Sequence, residues 1–544
     1  MKSIKYIELT KLFKSQRVDQ LKLLLLSAFS ISLNLFFLYN IQAFIDIIIE
    51  KRNQHEVLMK FCYICVIGIG NFGIGIYQNR KWHLFRYKLI NQMRIMMYDK
   101  LLGKRASFFD KRTTGDIVSA IMNDGSLIAE NVGISVLMLV LNLFQVFVIT
   151  IILIFKNVIL GCAVMIIGGF YFLFVNRINK RMRIYYKDYS QENANLNQRL
   201  TEDVRTILEI KTLNEKEFFI NKFYSQVWNK FFLKAKRVVN IEVLSNAANS
   251  LVSIIIPVFM ILLGGFFLYQ GTLTVGVLIL FYTYTQNLIE PLNNLADFYR
   301  GTQIAVGTAE RIYEYLFSTD EETEIESNLR ESEVDLLIDI NHFAWEKKDV
   351  LQNIHVNYTT RDRVFIKGKS GSGKTTLLKL ICGFYEISDG NIKICNVDVH
   401  KIKEEELFEI LKIQFQEPIV IEGSIRENIS LGKCYNDNEI LEILDMVQMK
   451  SFVTENSLDY QILEAGKNLS GGQKQRLALA RLLIRKPKIL ILDEATNGLD
   501  IKNEQIIVRN IEKYVEENNG ILLVTSHKNE MREICNKVLE IKKE

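Results

Sequence analysis

Long apolar stretches are frequent in the first 300 residues of this 544-residue chain and rare after them. A helix that crosses a bilayer core of about 30 Å needs roughly 20 predominantly apolar residues. Six stretches reach or approach this length, the last by running on helically: residues 23–49, 57–77, 134–155, 158–175, 247–269 and 275–288. The pattern predicts six membrane spans, and the alternative for a shorter stretch is a buried core helix.

The charged positions give these spans an orientation. Lys and Arg are frequent before the first span and in two long connections, residues 80–112 and 177–237, whereas the connections 156–157 and 270–274 carry one charge and none. Because loops rich in Lys and Arg remain on the cytoplasmic side, we expect a multi-pass protein of the cell membrane with both termini in the cytoplasm. The net charge of +5 follows from these loops, so nucleic-acid binding is not needed to explain it.

Targeting and cysteine patterns exclude other classes. The first apolar stretch is too long for a signal peptide, and no small-residue cleavage site follows it. The seven cysteines show no zinc spacing with histidine, and Cys62 and Cys65, one helical turn apart in the second span, are expected to be packing residues. We see no N-terminal cysteine peptidase domain, and expect no leader cleavage by this chain.

After residue 330 short apolar strands alternate with glycine-rich turns and helices. The sequence GKSGSGKTT at 368–376 follows an apolar strand, residues 363–366, and opens a helix. Its glycines, Gly368, Gly371 and Gly373, let backbone N–H groups surround phosphate oxygens, while Lys374 can reach the terminal phosphates and the Thr375 hydroxyl can bind Mg²⁺. The rest of this phosphate-binding loop is Lys369, Ser370, Ser372 and Thr376. The pattern predicts ATP and Mg²⁺ as ligands.

Two further motifs extend the predicted site. The apolar strand 489–492 ends in Asp493 and Glu494, which should point to opposite sides of the pleat, so that Asp493 serves Mg²⁺ through water and Glu494 faces an attacking water. The motif LSGGQ at 469–473 opens a helix whose N-terminus suits an anion. Its polar and glycine positions are Ser470, Gly471, Gly472 and Gln473. Their separation from the P-loop suggests that they serve the nucleotide of a second molecule.

Together these motifs resemble the nucleotide-binding domain of ABC transporters over residues 330–544, and their order is similar to that of the exporter branch. The resemblance implies an α-helical transmembrane domain of six spans, like type I ABC exporters, followed by an α/β P-loop ATPase domain. The implied division is a transmembrane domain with cytoplasmic coupling loops at 1–317, an acidic linker at 318–333 and the nucleotide-binding domain at 334–544.

The resemblance also implies roles for five single residues. Trp345 matches the adenine-stacking aromatic residue, and Gln416 matches the Q-loop glutamine that contacts Mg²⁺ and senses the γ-phosphate. Glu464 matches the exporter-specific glutamate that faces the coupling helices. Asp500 matches the D-loop aspartate, and His527 matches the switch histidine.

Three departures from the family pattern concern the communication between sites rather than hydrolysis. Asn497 and Gly498 occupy positions that are usually Ser and Ala, Leu463 replaces a glycine before Glu464, and Lys528 follows the histidine where Arg is usual.

Two cytoplasmic segments and one acid complete the predictions for the membrane half. Residues 107–124 resemble the first coupling-helix region, and residues 200–217 resemble the stretch after the second coupling helix. Glu290 precedes Pro291 near the cytoplasmic end of the sixth span, where an ionisable side chain is costly unless it faces water, a cavity or a partner. It is a candidate cavity acid for a cationic cargo, and the alternative is a wet helix margin with a Lys or Arg partner.

One chain supplies six spans and one ATPase domain, so the resemblance implies a half-transporter that dimerises in membrane lipid, as a homodimer or with a degenerate partner. Catalysis would use Glu494 to polarise water, His527 to hold the γ-phosphate, and Lys374 with Mg²⁺ to stabilise charge. The leading hypothesis is export of a peptide or other amphipathic solute. A lipid or drug exporter and an ATP-gated channel or sensor are the alternatives, and six spans argue against a soluble ATPase of nucleic-acid repair.

Overall fold

The computed structural model describes residues 16–50, 53–110, 112–317, 334–345, 348–496, 500–526 and 528–541. The predicted acidic linker, 318–333, lies outside these residues. The chain divides into two compact units, one within Met1–Gly103 and Thr113–Ser318, the other within Lys104–Arg112 and Thr319–Glu544. Part of the first long basic connection, Lys104–Arg112, therefore belongs to the second unit.

Long helices form the first unit. In chain order the helices up to residue 317 are α1 Arg17–Ile49, α2 Gln54–Leu102, α3 Ala106–Asp110, α4 Thr114–Ser119, α5 Gly125–Ile128, α6 Ser135–Lys156, α7 Val158–Arg205, α8 Ile207–Leu213, α9 Lys216–Ser225, α10 Phe232–Tyr269 and α11 Val275–Phe317. Short π-helical turns, Ala120–Asp124, Ala129–Ile134 and Gln226–Phe231, continue the neighbouring helices. Helix α3 belongs to the second unit.

The predicted spans can be compared with these helices. Within the described residues, five helical stretches are long and apolar enough to cross a membrane: Arg17–Ile49, Gln54–Leu102, Thr114–Lys156, Val158–Ile178 and Lys216–Tyr269. The sixth predicted span lies in the continuous helix α11. Helix α11 is not among the five because Gln286, Asn287 and Glu290 interrupt its apolar part. The two short connections are confirmed, since α7 begins two residues after α6 ends and α11 begins six residues after α10 ends.

Helix α11 lies at the centre of the first unit. It contacts the other long helices of that unit, α1, α2, α6, α7 and α10. Phe281 and Tyr284 are completely buried in the apolar core that these helices share. The Tyr284 hydroxyl donates a hydrogen bond to the Leu35 carbonyl oxygen at 2.8 Å, so the ring contributes apolar area without leaving its polar atom unpaired.

Two prolines inside membrane helices are each compensated by a glutamine from a neighbouring helix. Proline has no N–H for the carbonyl four residues earlier, so Pro257 in α10 leaves the Ser253 carbonyl without its helical donor. The Gln286 side-chain amide of α11 donates to that oxygen at 3.2 Å. Side chains of adjacent helices that satisfy such carbonyls make proline tolerable in a membrane.

The second pair has the same arrangement. Pro291 in α11 removes the helical donor to the Asn287 carbonyl, and Gln145 of α6 donates to that oxygen at 3.1 Å. Helix α11 is therefore tied to α10 near Pro257 and to α6 near Pro291.

The second unit is an α/β structure with two main sheets. Its strands are β1 Leu336–Trp345, β2 Lys348–Tyr358, β3 Arg363–Lys367, β4 Asp389–Ile394, β5 Val397–Asp398, β6 Leu411–Gln414, β7 Gly423–Ser424, β8 Gln461–Ile462, β9 Ile489–Asp493, β10 Ile521–Thr525 and β11 Lys537–Glu540. An antiparallel sheet has the order β2-β1-β4-β5, and a parallel sheet has the order β11-β3-β10-β9-β6. Strands β9 and β10 are buried throughout, as expected for a parallel sheet covered on both faces.

Helices pack around these sheets. They are α12 Lys374–Ile381, α13 Glu404–Ile410, α14 Ile425–Ser430, α15 Asp437–Met446, α16 Lys450–Asn456, α17 Gly471–Leu483, α18 Ile501–Glu517 and α19 Asn529–Glu533. The predicted strands at 363–366 and 489–492 are β3 and β9, each one residue longer than expected. Because parallel strands end at the same edge, β3, β6, β9 and β10 bring the residues that follow them together.

We predict that the Gln286 contact matters only because Pro257 is present. Gln286→Leu leaves the Ser253 carbonyl without its side-chain donor and should lower the free energy of unfolding by about 1 kcal/mol. In a Pro257→Ala background the helix supplies its own N–H, and the same substitution should cost much less. The double-mutant cycle is measured by thermal unfolding in detergent. An equal cost in both backgrounds would contradict the compensation.

Candidate ATP-binding and catalytic site

The phosphate-binding loop connects β3 to α12. Gly371 and Gly373 have φ of 74° and 93°, a region that residues with a Cβ rarely adopt. A Cβ on Gly373 would lie 2.8 Å from Leu351 Cδ2 and 3.1 Å from the Val350 carbonyl oxygen. Glycine is therefore required there both for the backbone conformation and for the space, and the loop reaches the N-terminus of α12 as predicted.

Two polar side chains of the loop, Lys374 and Ser372, differ in their hydrogen-bond partners. The Lys374 ammonium donates to the carbonyl oxygens of Gly368 and Lys369 at 2.8 and 3.3 Å, so it lies across the loop. Ser372 is 3% exposed, and its hydroxyl has no hydrogen-bond partner within the described part of the chain. A buried hydroxyl is costly without a partner, and a phosphate oxygen would supply one. Ser370 is exposed and Thr376 half-buried in the same loop.

Asp493, the last residue of β9, and Glu494, which follows it, have different partners. Asp493 is buried and accepts hydrogen bonds from the hydroxyls of Thr375, at 3.0 Å, and Thr525, at 2.5 Å. Glu494 accepts from the Gln416 amide at 3.1 Å. Asp493 is thus joined to the phosphate-binding loop and Glu494 to the Q-loop.

Glu494 has a left-handed backbone, with φ of 52°. This conformation is unfavourable for a residue with a side chain and occurs often at active sites. It is held by the Glu494 N–H, which donates to the carbonyl oxygen of Thr525 on β10 at 3.0 Å. The chain therefore turns sharply at the first residue after the strand.

The oxygen atoms near Asp493 fit a magnesium ion. Mg²⁺ prefers oxygen ligands and usually shares them with substrate phosphates. The Thr375 hydroxyl and the Asp493 carboxylate are within hydrogen-bond distance of each other, and the Gln416 amide lies beside Glu494. No cluster of three His, Cys, Asp or Glu side chains suited to a metal occurs in the described ranges. A metal here would therefore use hydroxyl, amide and phosphate oxygens alongside one carboxylate.

Trp345 ends β1, and its side chain is 40% exposed. The ring packs edge-on against Tyr385, with 4.8 Å between the centroids. An indole that is held at its edge and exposed elsewhere can stack on a base.

Tyr385 extends this contact to helix α3 within the same unit. Its hydroxyl donates to the Asp110 carboxylate at 2.6 Å, and Arg105 forms an ion pair with the adjacent Glu386. Burial, together with the hydrogen bond to Asp110, raises the pKa of Tyr385 above its ordinary value, so the phenol keeps the proton that it donates. Nothing in the local sequence around Tyr385 indicated this contact.

The LSGGQ motif forms the start of α17. Ser470 is the N-cap, its hydroxyl accepting from the Gln473 N–H at 3.2 Å, and the Gln473 side chain accepts from the Ser470 N–H at 2.8 Å. This capping box fixes the first turn, which contains Gly471 and Gly472. In the described ranges no hydrogen bond joins residues 469–473 to the phosphate-binding loop.

The remaining predicted residues lie around this centre. Glu464 begins a short 3-10 turn, is exposed, and pairs with Lys467 at 2.8 Å. The Lys474 ammonium of α17 donates to the Ala465 carbonyl oxygen of that turn at 2.8 Å. Asp500 caps α18, and hydrogen bonds from Asn503 lower its pKa below the ordinary value.

His527, Asn497 and Gly498 lie outside the described residues. Lys528, which stands where the family usually has Arg, forms an ion pair with Glu504 at 2.6 Å and donates to the Thr496 carbonyl oxygen at 3.2 Å. Glu504 is 1% exposed, and a buried carboxylate is strongly destabilising without a cation beside it, which Lys528 supplies. Lysine in place of arginine therefore keeps a positive charge at this position. Its partners, Glu504 and the Thr496 carbonyl, could not be predicted from the sequence.

Family comparisons agree with both units. A model described as the ABC transporter transmembrane region matches residues 21–292, and one described as ABC transporter matches residues 351–497. The chain belongs to the ABC transporter family. This confirms the resemblance inferred from the motifs, and the predicted fold class is confirmed with it.

Among similar curated proteins, the lactococcin-A transport/processing ATP-binding protein LcnC of Lactococcus lactis is 29% identical over 74% of this chain and 57% of its own length. The transport/processing ATP-binding protein ComA of Streptococcus pneumoniae is 29% identical, with the same coverage. An ATP-dependent lipid A-core flippase of Francisella tularensis is 26% identical over 78% of this chain and 71% of its own length. The chain thus spans little more than half the length of the first two relatives.

A solved structure shows the same fold. The ATP-bound structure of a bacterial Atm1-family ABC exporter superimposes with a TM-score of 0.83, covering 97% of this chain and 94% of its own, at 20% sequence identity.

We predict that Trp345 contributes to nucleotide affinity by stacking. Trp345→Ala should weaken ATP binding by roughly 1 to 3 kcal/mol, the range for base stacking on an aromatic side chain. Trp345→Tyr should largely restore it, because the aromatic face is retained. Affinity is measured by titration with a fluorescent ATP analogue. An unchanged affinity in the Ala variant would place the base elsewhere.

Proposed function

We propose that this chain is one half of a dimeric ATP-driven exporter of the cell membrane, and that it moves a peptide or another amphipathic solute. One observation carries the proposal. The phosphate-binding loop and the Q-loop both bond to the acidic pair Asp493 and Glu494 at the end of β9, in a chain that also has helices long and apolar enough to cross a membrane.

The proposed chemistry assigns a task to each group. Lys374 and the loop N–H groups bind the terminal phosphates, and Thr375, Gln416 and Asp493 hold Mg²⁺. When bound, Mg²⁺ offsets negative charge on the phosphates. Glu494, held in place by Gln416 and by the Thr525 carbonyl oxygen, orients the attacking water. His527 is proposed, from the family resemblance, to hold the γ-phosphate.

The signature motif, LSGGQ at 469–473, is the reason for proposing a dimer. The motif LSGGQ forms an exposed helix start with glycine N–H groups, suited to a phosphate, yet it makes no hydrogen bond to the described phosphate-binding loop. We propose that Ser470, Gly471, Gly472 and Gln473 complete the ATP site of a second half-transporter. The P-loop and Glu494 are intact, so a homodimer would have two competent sites, and a heterodimer remains the competing assembly.

Further parts of the proposal rest on the sequence. They are a transmembrane domain at 1–317, a linker at 318–333, a nucleotide-binding domain at 334–544, cytoplasmic termini, and contact of Glu464 with the coupling helices. A lipid is the competing cargo, because one relative is named a lipid A-core flippase and two others are named for transport/processing.

The test uses the protein in proteoliposomes with ATP supplied outside. We expect the parent to take up a fluorescent amphipathic peptide in the presence of ATP, and Glu494→Gln to take up none. The variant should still bind ATP but hydrolyse it at least 100-fold more slowly. Losses of about this size follow the removal of a group that acts in the transition state. Glu517→Gln, an exposed acid at the end of α18, is the matched control and should behave as the parent.

The outcomes separate the alternatives. Movement of a fluorescent phospholipid but not of the peptide would favour the lipid cargo. ATP hydrolysis without movement of either would contradict export and favour a channel or sensor. Hydrolysis by Glu494→Gln near the parental rate would contradict the role of Glu494.

A further inference from the structure

A cavity of about 640 Å³ opens in the first unit, between α1, α2, α6, α11 and the π-helical turn Ala129–Ile134. Its apolar wall includes Ile31, Met138 and Leu141. The polar wall is of two kinds, carboxamides and charged groups. In the proposed orientation the polar wall lies toward the cytoplasmic end of the spans, where cargo would enter.

Six residues of the lining carry carboxamides. They are Gln78, Asn79, Asn131, Asn142, Gln145 and Asn294. Each carboxamide offers both an acceptor oxygen and a donor NH₂ group. Asn131, Gln145 and Asn294 already donate their NH₂ groups within the first unit, to the Leu127 carbonyl, the Asn287 carbonyl and the Asn142 side chain. A peptide backbone presents the same pair of functions, so the acceptor oxygens of this lining and the carboxamides of Gln78 and Asn79 can serve peptide groups that leave water. A purely apolar solute would bury these polar atoms at a cost.

The charged groups of the cavity leave one carboxylate uncompensated. Arg86 forms an ion pair with Glu130, with 2.5 Å between the guanidinium and the carboxylate. Glu290 also lines the cavity and is exposed. Within the described residues no Lys, Arg or His forms an ion pair with Glu290, and His83 is the other titratable group in the lining. The predicted alternative, a margin carboxylate paired with Lys or Arg, therefore finds no support among these residues.

The walls next to Glu290 are irregular helices. Pro291 follows it directly, and the carbonyl that this proline leaves without a helical donor is bonded by Gln145, itself part of the lining. Across the cavity, Glu130 and Asn131 come from a π-helical turn, a conformation that is frequent at functional sites. Both irregularities direct polar side chains to the same space.

We propose that this cavity is a loading site for a cationic amphipathic peptide. A Lys or Arg side chain of the cargo pairs with Glu290, the cargo backbone bonds to the carboxamides, and its apolar side chains lie on the wall formed by Ile31, Met138 and Leu141. A lipid with an anionic phosphate is disfavoured, because the uncompensated carboxylate repels it. This inference rests on the proposed export function and specifies its cargo.

The test measures peptide binding to the intact dimer in nanodiscs. The probes are two fluorescent nonapeptides of Leu, Ala and Gly that differ at one position, lysine or its neutral acetylated form. We expect Glu290→Gln to raise the Kd for the lysine peptide about tenfold, as for the loss of a charge pair worth 1.4 kcal/mol, and to change the Kd for the acetylated peptide less than twofold. Glu290→Asp, which keeps the charge, should restore most of the affinity for the lysine peptide.

Controls separate a specific loss from misfolding. Glu56→Gln, in the first turn of α2 and outside the cavity lining, should bind both peptides as the parent does, and Asn142→Leu should weaken both to the same extent. Equal effects of Glu290→Gln on the two peptides would overturn the inference, as would failure of the parent to bind either.

Failure of the inference can be told from failure of the proposed function. A parent that hydrolyses ATP and moves the fluorescent phospholipid but binds neither peptide remains an exporter with another cargo. A parent that binds the lysine peptide at Glu290 but never moves it supports the site and contradicts export.

Discussion

In the second unit, the geometry of the candidate ATP site depends on the position at which the strand β9 ends. This strand is buried along its whole length and is hydrogen-bonded in register between β6 and β10. Its end is therefore fixed relative to two loops and to the neighbouring strand β10. Asp493 reaches the phosphate-binding loop through Thr375, Glu494 reaches the Q-loop through Gln416, and the Glu494 N–H is bonded to β10. A shift of β9 by one residue would break all three contacts together.

The first unit depends on a different constraint, the cost of polar groups among apolar helices. Carbonyls that two prolines leave without helical donors are satisfied by Gln286 and Gln145, and both contacts involve α11. The same helix carries Glu290 and Asn294 on the wall of the cavity. Because such groups are costly in a membrane, the presence of Glu290 and Asn294 on this helix supports the proposed loading site.

The parts that the sequence predicted are those set by local patterns. The phosphate-binding loop, β3, β9 and the short connections after α6 and α10 follow from glycine spacing, apolar runs and turn residues, and the structure has them where expected. The sixth span was harder to predict, because the polar residues of α11 reduce its apolar character while the helix continues to Phe317.

The parts that the sequence could not predict depend on distant residues. Tyr385 meets Asp110, 275 positions away, and Lys528 meets Glu504, 24 positions away. The spacing of apolar and polar residues along the sequence does not indicate contacts between residues so far apart. The π-helical turns and the proline–glutamine pairs are likewise invisible without tertiary structure, since each depends on which helices become neighbours. Glu290 was singled out by its cost in a membrane, but its place in an amide-lined cavity needed the fold.

The proposed export function requires that ATP bound at the end of β9 control access to the cavity of the membrane unit. It is tested most directly by the reactivity of Asn79→Cys, in the cavity wall, after the four exposed cysteines, Cys62, Cys65, Cys162 and Cys434, are replaced by Ser. A membrane-impermeant thiol reagent on the nucleotide side should modify this cysteine quickly without ATP. The rate should fall by about tenfold or more when ATP is trapped in the Glu494→Gln background, as expected when a ligand shifts the population to a closed state. Equal rates with and without trapped ATP would contradict the account.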